Sequence, residues 1–104
     1  MASEKAYLEY ILEQLSGADG VTYRPMMGEY ILYVQGKVIG GIYDDRFLVK
    51  PTKAAAALMP DARTELPYEG GKEMLLVENV ENRAFLETLL DAMLPELPAP
   101  KKKR

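Results

Sequence analysis

The sequence contains no cysteine, no histidine and no tryptophan. Without cysteine there is no disulfide, no thiolate nucleophile and no cysteine-ligated zinc. Without histidine the commonest general base and metal ligand is missing, and Ser-His-Asp catalysis is excluded. The only two serines, Ser3 and Ser16, lie at the ends of a predicted helix. We therefore expect no enzyme, no catalytic residue and no cofactor.

Phosphate-binding and metal-binding patterns are also missing. Gly40-Gly41 lies inside a predicted strand, and Gly70-Gly71 is not followed by Lys-Ser/Thr as a phosphate loop requires. Asp44-Asp45 could hold a divalent cation if a third acid lay nearby. A tight turn explains this pair of aspartates without a metal, so no metal site is predicted.

Basic charge is scarce outside the end of the chain. Four of the 13 basic residues are Lys101 to Arg104, so the rest of the chain has nine basic and 16 acidic residues. Because duplex binding depends on neutralising phosphates, such an acidic body is a poor general nucleic-acid binder. No apolar run reaches the length of a membrane span, and the first residues lack the layout of a signal peptide. The predicted compartment is the cytoplasm.

Helical spacing dominates the two ends of the chain. Residues 4–16 are predicted to form a helix with Ser3 as its N-cap, and a final helix is predicted from about Glu81 to Leu94. A short helix from Ala54 to Met59, capped by Thr52, precedes a loop over residues 60–72. Residues 1–95 are predicted to form one domain, followed by a disordered Pro/Lys-rich tail over residues 96–104.

Between the helices the apolar period changes to two. The predicted strands are residues 21–26, 30–34, 37–43, 46–50 and 74–78, and Pro25 suggests that the first is an edge or irregular strand. Two-residue links, Gln35-Gly36 and Asp44-Asp45, join consecutive strands as hairpins. The predicted fold class is α+β: an N-terminal helix, an antiparallel meander of about five strands, and a C-terminal helix packed on one face.

An uninterrupted register assigns each residue of these strands to a face. One face is then apolar apart from a tyrosine hydroxyl and forms the predicted core: Ile31, Tyr33, Val38, Gly40, Ile42, Phe47 and Val49. The other face mixes leucine, isoleucine, tyrosine and basic residues. Either another part of the chain covers it, or it binds a partner or a second copy, since interfaces favour such residues. The predicted partner-binding residues are Tyr30, Leu32, Ile39, Tyr43, Arg46, Leu48 and Lys50.

Arg24 is the best single candidate for binding an anion, because its guanidinium could hold a carboxylate or phosphate through two hydrogen bonds. The alternative is a structural ion pair with an acid such as Glu29 or Asp45. Lys50 raises the same two alternatives. The basic tail resembles a nuclear-import motif, but a solvated tail is the favoured interpretation.

The stretch from Tyr23 to Thr52 resembles the TfoX/Sxy N-terminal domain family. That family has an Arg-x-Met-x-Gly turn, a tyrosine-bearing strand, a Gly-Lys hairpin and a strand ending in lysine. The matching residues are Arg24, Met26, Gly28, Tyr33, Gly36, Lys37, Asp45, Leu48 and Lys50. The flanking elements extend the resemblance over nearly residues 3–95. Met27 and Glu29 depart from the family's aromatic residue and second glycine, and the additional C-terminal domain of the competence regulators is absent.

The resemblance implies an α+β fold and a bacterial regulatory role exerted through protein contacts. The competence regulators are thought to act with a cyclic-AMP receptor protein at promoters. The leading hypothesis is therefore a non-enzymatic interaction module, such as a transcription co-regulator, that binds a protein partner or forms a homodimer. One alternative is weak nucleic-acid binding through the tail and Lys37, Arg46 and Lys50. Another is a small-anion or ligand site near Arg24.

Overall fold

A computed structural model describes residues 4–98, and the predicted N-cap Ser3 and tail residues 99–104 lie outside this range. The helices are α1 (Lys5–Gln14), α2 (Lys53–Leu58) and α3 (Arg83–Met93), followed by a short 3-10 helix, Leu94–Glu96. The strands are β1 (Val21–Met26), β2 (Glu29–Val34), β3 (Lys37–Tyr43), β4 (Arg46–Val49), β5 (Thr64–Glu65) and β6 (Met74–Leu76). The predicted α+β class is confirmed.

The six strands form one antiparallel sheet in the order β1-β2-β3-β4-β6-β5. Three two-residue turns join the first four strands, at Met27-Gly28, Gln35-Gly36 and Asp44-Asp45, and every residue in them has a positive φ between 52° and 85°. Two positive φ values in succession define the type I′ turn, whose twist matches that of the flanking strands. The predicted meander is confirmed, and β1 lies at the edge that Pro25 suggested.

The three helices cover one face of the sheet. Their buried residues join those of the strands in a single cluster that includes Leu8 and Ile11 of α1, Ala55 of α2, and Leu86 of α3. Thr52 caps α2 as predicted, since its hydroxyl accepts a hydrogen bond from the Ala55 N–H at 3.1 Å. Leu97 also packs in this cluster, although the sequence placed it in the tail.

The predicted faces are wrong for β2, because β3 contains a β-bulge. Tyr33 lies opposite Val38 but Leu32 lies opposite Gly40, so Ile39 is the extra residue. Beyond a bulge every side chain of the partner strand changes face relative to a simple register. Tyr30, Leu32 and Val34 therefore face the helices, whereas Ile31, Tyr33 and Val38 do not belong to the buried cluster.

The register between β3 and β4 is as predicted, so Ile42, Phe47 and Val49 face the helices. Strand β4 approaches Gly40 closely. A Cβ atom on Gly40 would lie 2.0 Å from the Leu48 carbonyl oxygen and 2.7 Å from the Val49 Cα. The ring of Tyr43, from the same strand, covers Gly41.

Candidate functional site

The seven predicted partner-binding residues do not share a surface. Leu32 and Ile39 are fully buried in the helix-facing cluster, and Tyr30 packs against it. Tyr43, Arg46 and Leu48 lie on the other side, which we call the second face. The bulge at Ile39 separates the two groups, because it moves the side chains of β2 to the helix side. Their role in binding stays a prediction, but the joint surface assumed from the sequence is wrong.

The second face is covered over β4 by another part of the chain. The Tyr68 ring meets the Tyr43 ring edge-on, with 6.1 Å between the centroids and 61° between the planes. Arg46 forms an ion pair with Glu65 and also donates a hydrogen bond to the Leu66 carbonyl at 3.2 Å. Leu48 on this face has no exposed surface. The loop predicted over residues 60–72 therefore contains the missed strand β5 and covers the sheet beside it.

Two of the three basic strand residues of the nucleic-acid alternative, Lys37 and Arg46, have partners within the fold. The Lys37 ammonium donates a hydrogen bond of 3.1 Å to the Leu94 carbonyl at the end of α3, and Arg46 is engaged by Glu65. Lys37 starts β3 whereas Arg46 starts β4, so the two lie at opposite ends of an antiparallel pair. The structure thus brings no continuous basic surface together from these two residues.

The aspartate pair Asp44-Asp45 forms a turn, with φ values of 54° and 57°. The Asp44 N–H donates to the Glu29 carboxylate at 3.1 Å, and the Asp45 carboxylate accepts from the Glu4 N–H at 2.9 Å, next to the start of α1. Among residues 4–98 no group of three or more acidic side chains could hold a metal ion. In the same range no helix is long and apolar enough to cross a membrane.

β1 is one edge strand of the sheet, and the short β5 is the other. Along β1, residues whose backbone groups bond to β2 alternate with residues whose backbone groups point away from the sheet. The Gln35 N–H donates to the Gly20 carbonyl at 2.9 Å, immediately before β1. In an antiparallel pair the bonded residues recur every second position, so Thr22, Arg24 and Met26 bond to β2. The polar backbone groups of Val21, Tyr23 and Pro25 consequently point away from the sheet. Pro25 has no N–H group. Because its backbone points away from β2, the missing donor removes no hydrogen bond between β1 and β2.

The side chains of β1 divide between the two faces. Val21 packs against the helix-facing cluster, and Tyr23 meets Tyr30 edge-on with 5.8 Å between centroids. Arg24 lies opposite Ile31 on the second face and is exposed. Arg24 takes part in neither of the ion pairs Arg46–Glu65 and Arg83–Glu13.

A cleft of about 650 Å³ runs beside β1 on the helix side. Its walls are the last turn of α1, the connection that follows it and the first half of β1. Its lining mixes apolar residues such as Leu12 and Val21 with polar ones such as Asp19. Tyr23, of which 39% is exposed, stands at this cleft. The outward backbone groups of β1 and the cleft therefore lie side by side, and we call them together the β1 edge.

Met27, at the tip of the turn after β1, is the most unusual residue of this region. It is 96% exposed, and its φ of 54° is a conformation that bulky residues rarely adopt. Because the Met27 side chain is exposed, packing in the core does not explain why methionine occupies this turn position with a positive φ. The sequence analysis noted Met27 as a departure from the family's aromatic residue but did not predict its exposure. A large side chain in a two-residue hairpin turn, where Asn or Gly is usual, was a signal available from the sequence.

Burial changes the titration of two tyrosines. The pKa of Tyr43 is raised mainly by burial, and then by Tyr68, Glu29 and Tyr33. The pKa of Tyr7 is also raised by burial, followed by Tyr10 and Asp45. A raised pKa in the folded state means that folding favours the protonated phenol.

We therefore expect the free energy of unfolding to fall as the pH rises above about 10, the ordinary tyrosine value, because the folded state resists ionisation and the unfolded state does not. Urea unfolding between about pH 9 and about pH 11.5 measures this decline. The decline should be shallower in Tyr43→Phe, with Tyr7→Phe/Tyr43→Phe shallower still. The same slope in the wild type and in the double variant would contradict the expectation.

The chain is similar to a known protein family and to a relative from a spirochaete. The TfoX N-terminal domain profile matches residues 13–87, which include the whole sheet, α2 and the first part of α3. A relative from Spirochaeta aurantia, described as an uncharacterized 12.7 kDa protein in the trpE 5′ region, is 33% identical over 105 aligned positions. The alignment covers 100% of this chain and 91% of the relative. No solved structure matches the chain.

Proposed function

The chain belongs to the TfoX N-terminal domain family, and from that premise we propose that it is a non-enzymatic regulatory module that binds an extended segment of a partner protein along the β1 edge. The family is associated with competence regulation and is not a known enzyme family. The proposal places the module in the bacterial cytoplasm, as a co-regulator of transcription that acts through protein contacts. The observation that carries the binding mode is the outward-pointing backbone of Val21, Tyr23 and Pro25 beside a cleft of mixed apolar and polar lining.

Strand addition to a sheet edge combines two sources of binding energy. Main-chain hydrogen bonds supply affinity, and pockets for alternate side chains supply specificity. β1 offers two outward N–H groups, from Val21 and Tyr23, and three outward carbonyls, since Pro25 contributes only its carbonyl. Because Pro25 has no N–H, an added strand can form more main-chain hydrogen bonds with the first half of β1 than with its second half.

The side chains around β1 define the partner segment. Successive residues of an added strand alternate between the two faces. On the helix side, the cleft and Tyr23 favour an apolar side chain, and on the second face the exposed guanidinium of Arg24 favours a carboxylate. Met27 adds an exposed apolar contact at the end of the strand. The expected partner segment is therefore extended, with acidic and apolar residues in alternation.

A second copy of this chain fits the β1 edge less well. If two β1 strands paired around Tyr23, Thr22 of one copy would lie opposite Arg24 of the other, and the sequence Val21–Met26 supplies no acidic residue. The guanidinium would gain no partner. Pro25 would also leave the Val21 carbonyl of the other copy without a donor. These two deficits favour a different protein as the partner.

We expect Arg24→Glu to weaken partner binding about tenfold, because an attractive contact with the partner's carboxylate becomes a repulsive one. The measurement starts from a random heptapeptide library selected on the immobilised protein. The selected peptides should alternate acidic and apolar residues, and their affinity for the variant is then measured by calorimetry. Lys53→Glu is the matched control, since this exposed residue on α2 makes the same charge change away from β1.

Amide hydrogen exchange identifies the surface directly. Bound peptide should slow the exchange of the Val21 and Tyr23 amides, which point outward, and should change the Thr22 and Arg24 amides little because they already bond to β2. A library that yields no binder would overturn the proposal. So would binders that leave the Val21 and Tyr23 amides unprotected, or a solution dimer that protects those amides without any peptide.

A further inference from the structure

A second cleft lies on the second face of the sheet, away from β1, and has a volume of about 590 Å³. Its floor is β3 and the end of β4, and its other wall is the segment from Pro67 to Met74. This volume falls within the range of small-molecule sites, which is about 300–1,000 Å³. The function proposed for β1 does not use it.

The outer wall of this cleft is a defined turn. The Gly71 N–H donates to the Tyr68 carbonyl at 3.0 Å, and Gly70 between them has a φ of 86°, as a type II turn requires. A Cβ atom on Gly71 would lie 3.0 Å from the Tyr68 ring and 3.1 Å from the Pro67 ring. The glycine backbone is thus packed directly on both rings. Pro67 is buried, which anchors the turn to the sheet.

The lining of this cleft combines aromatic and basic groups. Tyr43 and Tyr68 meet edge-on at its side, with Tyr43 buried and Tyr68 55% exposed. Lys50 reaches the cleft from the end of β4, and Lys72 from the opposite wall. Glu73 is the acidic residue among the lining residues, so the lysines outnumber the acids.

We propose that this cleft binds a small organic anion, with a planar ring against Tyr43 and Tyr68 and a phosphate or carboxylate between Lys50 and Lys72. Tyrosine rings favour edge-on or offset contacts with another ring. Two ammonium groups on opposite walls supply the charge that an anion needs on leaving water. The ring and the anionic group are both required, because the apolar walls and the lysines recognise different parts of one molecule.

Calorimetry with four probes tests the requirement for both parts. Adenosine monophosphate and 1-naphthoate each carry a ring and an anionic group, and they separate a phosphate ligand from a carboxylate ligand. Adenosine has no anionic group, and inorganic phosphate has no ring. We expect one of the two complete probes to bind with a dissociation constant below about 1 mM, and each partial probe to bind at least tenfold more weakly.

Variants then locate the bound probe. Lys50→Gln/Lys72→Gln should weaken the binding of the complete probe at least tenfold, while Lys53→Gln, which removes an exposed lysine elsewhere, should leave it unchanged. Thermal unfolding confirms that each variant is folded. The proposal is overturned if neither complete probe binds below about 1 mM to the folded protein. It is equally overturned if inorganic phosphate binds as tightly as the complete probes, or if the double variant binds as tightly as the wild type.

Discussion

Gly40→Ala is expected to abolish the native fold. A Cβ atom on Gly40 would lie 2.0 Å from the Leu48 carbonyl oxygen and 2.7 Å from the Val49 Cα, far inside contact distance. Both atoms belong to the backbone of β4, so no side-chain rotation can relieve the overlap. Relief requires β3 and β4 to separate, which breaks the centre of the sheet.

The expected loss exceeds about 4 kcal/mol, which only a few mechanisms produce and which approaches the whole stability of a small domain. Urea unfolding followed by far-ultraviolet circular dichroism measures it, with the variant expected to be unfolded or nearly so without denaturant. Gly70→Ala is the matched control. A Cβ there would meet nothing within 4 Å, although φ is 86°, so it carries only the cost of the left-handed backbone, about 1–2 kcal/mol.

If Gly40→Ala and Gly70→Ala lost the same stability, the backbone of β4 would not be the obstacle at Gly40. This comparison matters for the candidate sites as well as for the fold. Gly40 immediately follows the bulged residue Ile39, and it also lies at the floor of the tyrosine-lined cleft. The position of the bulge and the shape of that cleft depend on the same close approach of two strands.

The sequence was sufficient to predict the helices, every strand except β5, and most of the pairing, because those depend on local patterns. Apolar spacing located α1 and α3, and the turn residues at Gln35-Gly36 and Asp44-Asp45 located two of the hairpins. Pro25 correctly marked the edge strand. Each of these signals lies within a few residues of the feature that it predicts.

The bulge was not predictable from the same signals. Both strands around Ile39 are apolar on both faces, so neither the simple register nor the bulged one leaves a polar residue in the core. The choice depends on which side chains fill the space under the helices, and that is a property of the whole fold. Because the partner-binding prediction rested on the simple register, the bulge divided its residues between two faces.

The position of the segment that covers the second face could not be predicted from local sequence patterns either. Tyr68 meets Tyr43 across 25 positions of sequence, and Arg46 reaches Glu65 and Leu66 from another strand. The sequence offered a covering loop and a partner surface as alternatives, and the structure places the loop there over β4. The β1 edge stays open to a partner. Its signals in the sequence were Pro25, which suggested an edge strand, and Arg24 beside it.

Leu48→Asp tests this reassignment of surfaces. If Leu48 were an anchor on an exposed partner-binding face, the substitution would disrupt association and leave the helices and the stability intact. The structure predicts otherwise, because Leu48 has no exposed surface and lies between Gly41 of β3 and Leu76 of β6. The substitution removes a buried leucine and places an unpaired carboxylate in the same position.

We expect Leu48→Asp to lose about 4 kcal/mol or more of unfolding free energy, since a lost buried leucine costs about 2–5 kcal/mol and a buried unpaired charge adds to it. Leu66→Asp makes the same chemical change on the covering segment, where the side chain is 47% exposed, and should change stability by about 0.5 kcal/mol or less. Urea unfolding and sedimentation of the three proteins distinguish the cases. A Leu48→Asp protein with wild-type stability and altered association would restore the second face as the partner surface, whereas an unfolded one leaves the β1 edge as the exposed candidate.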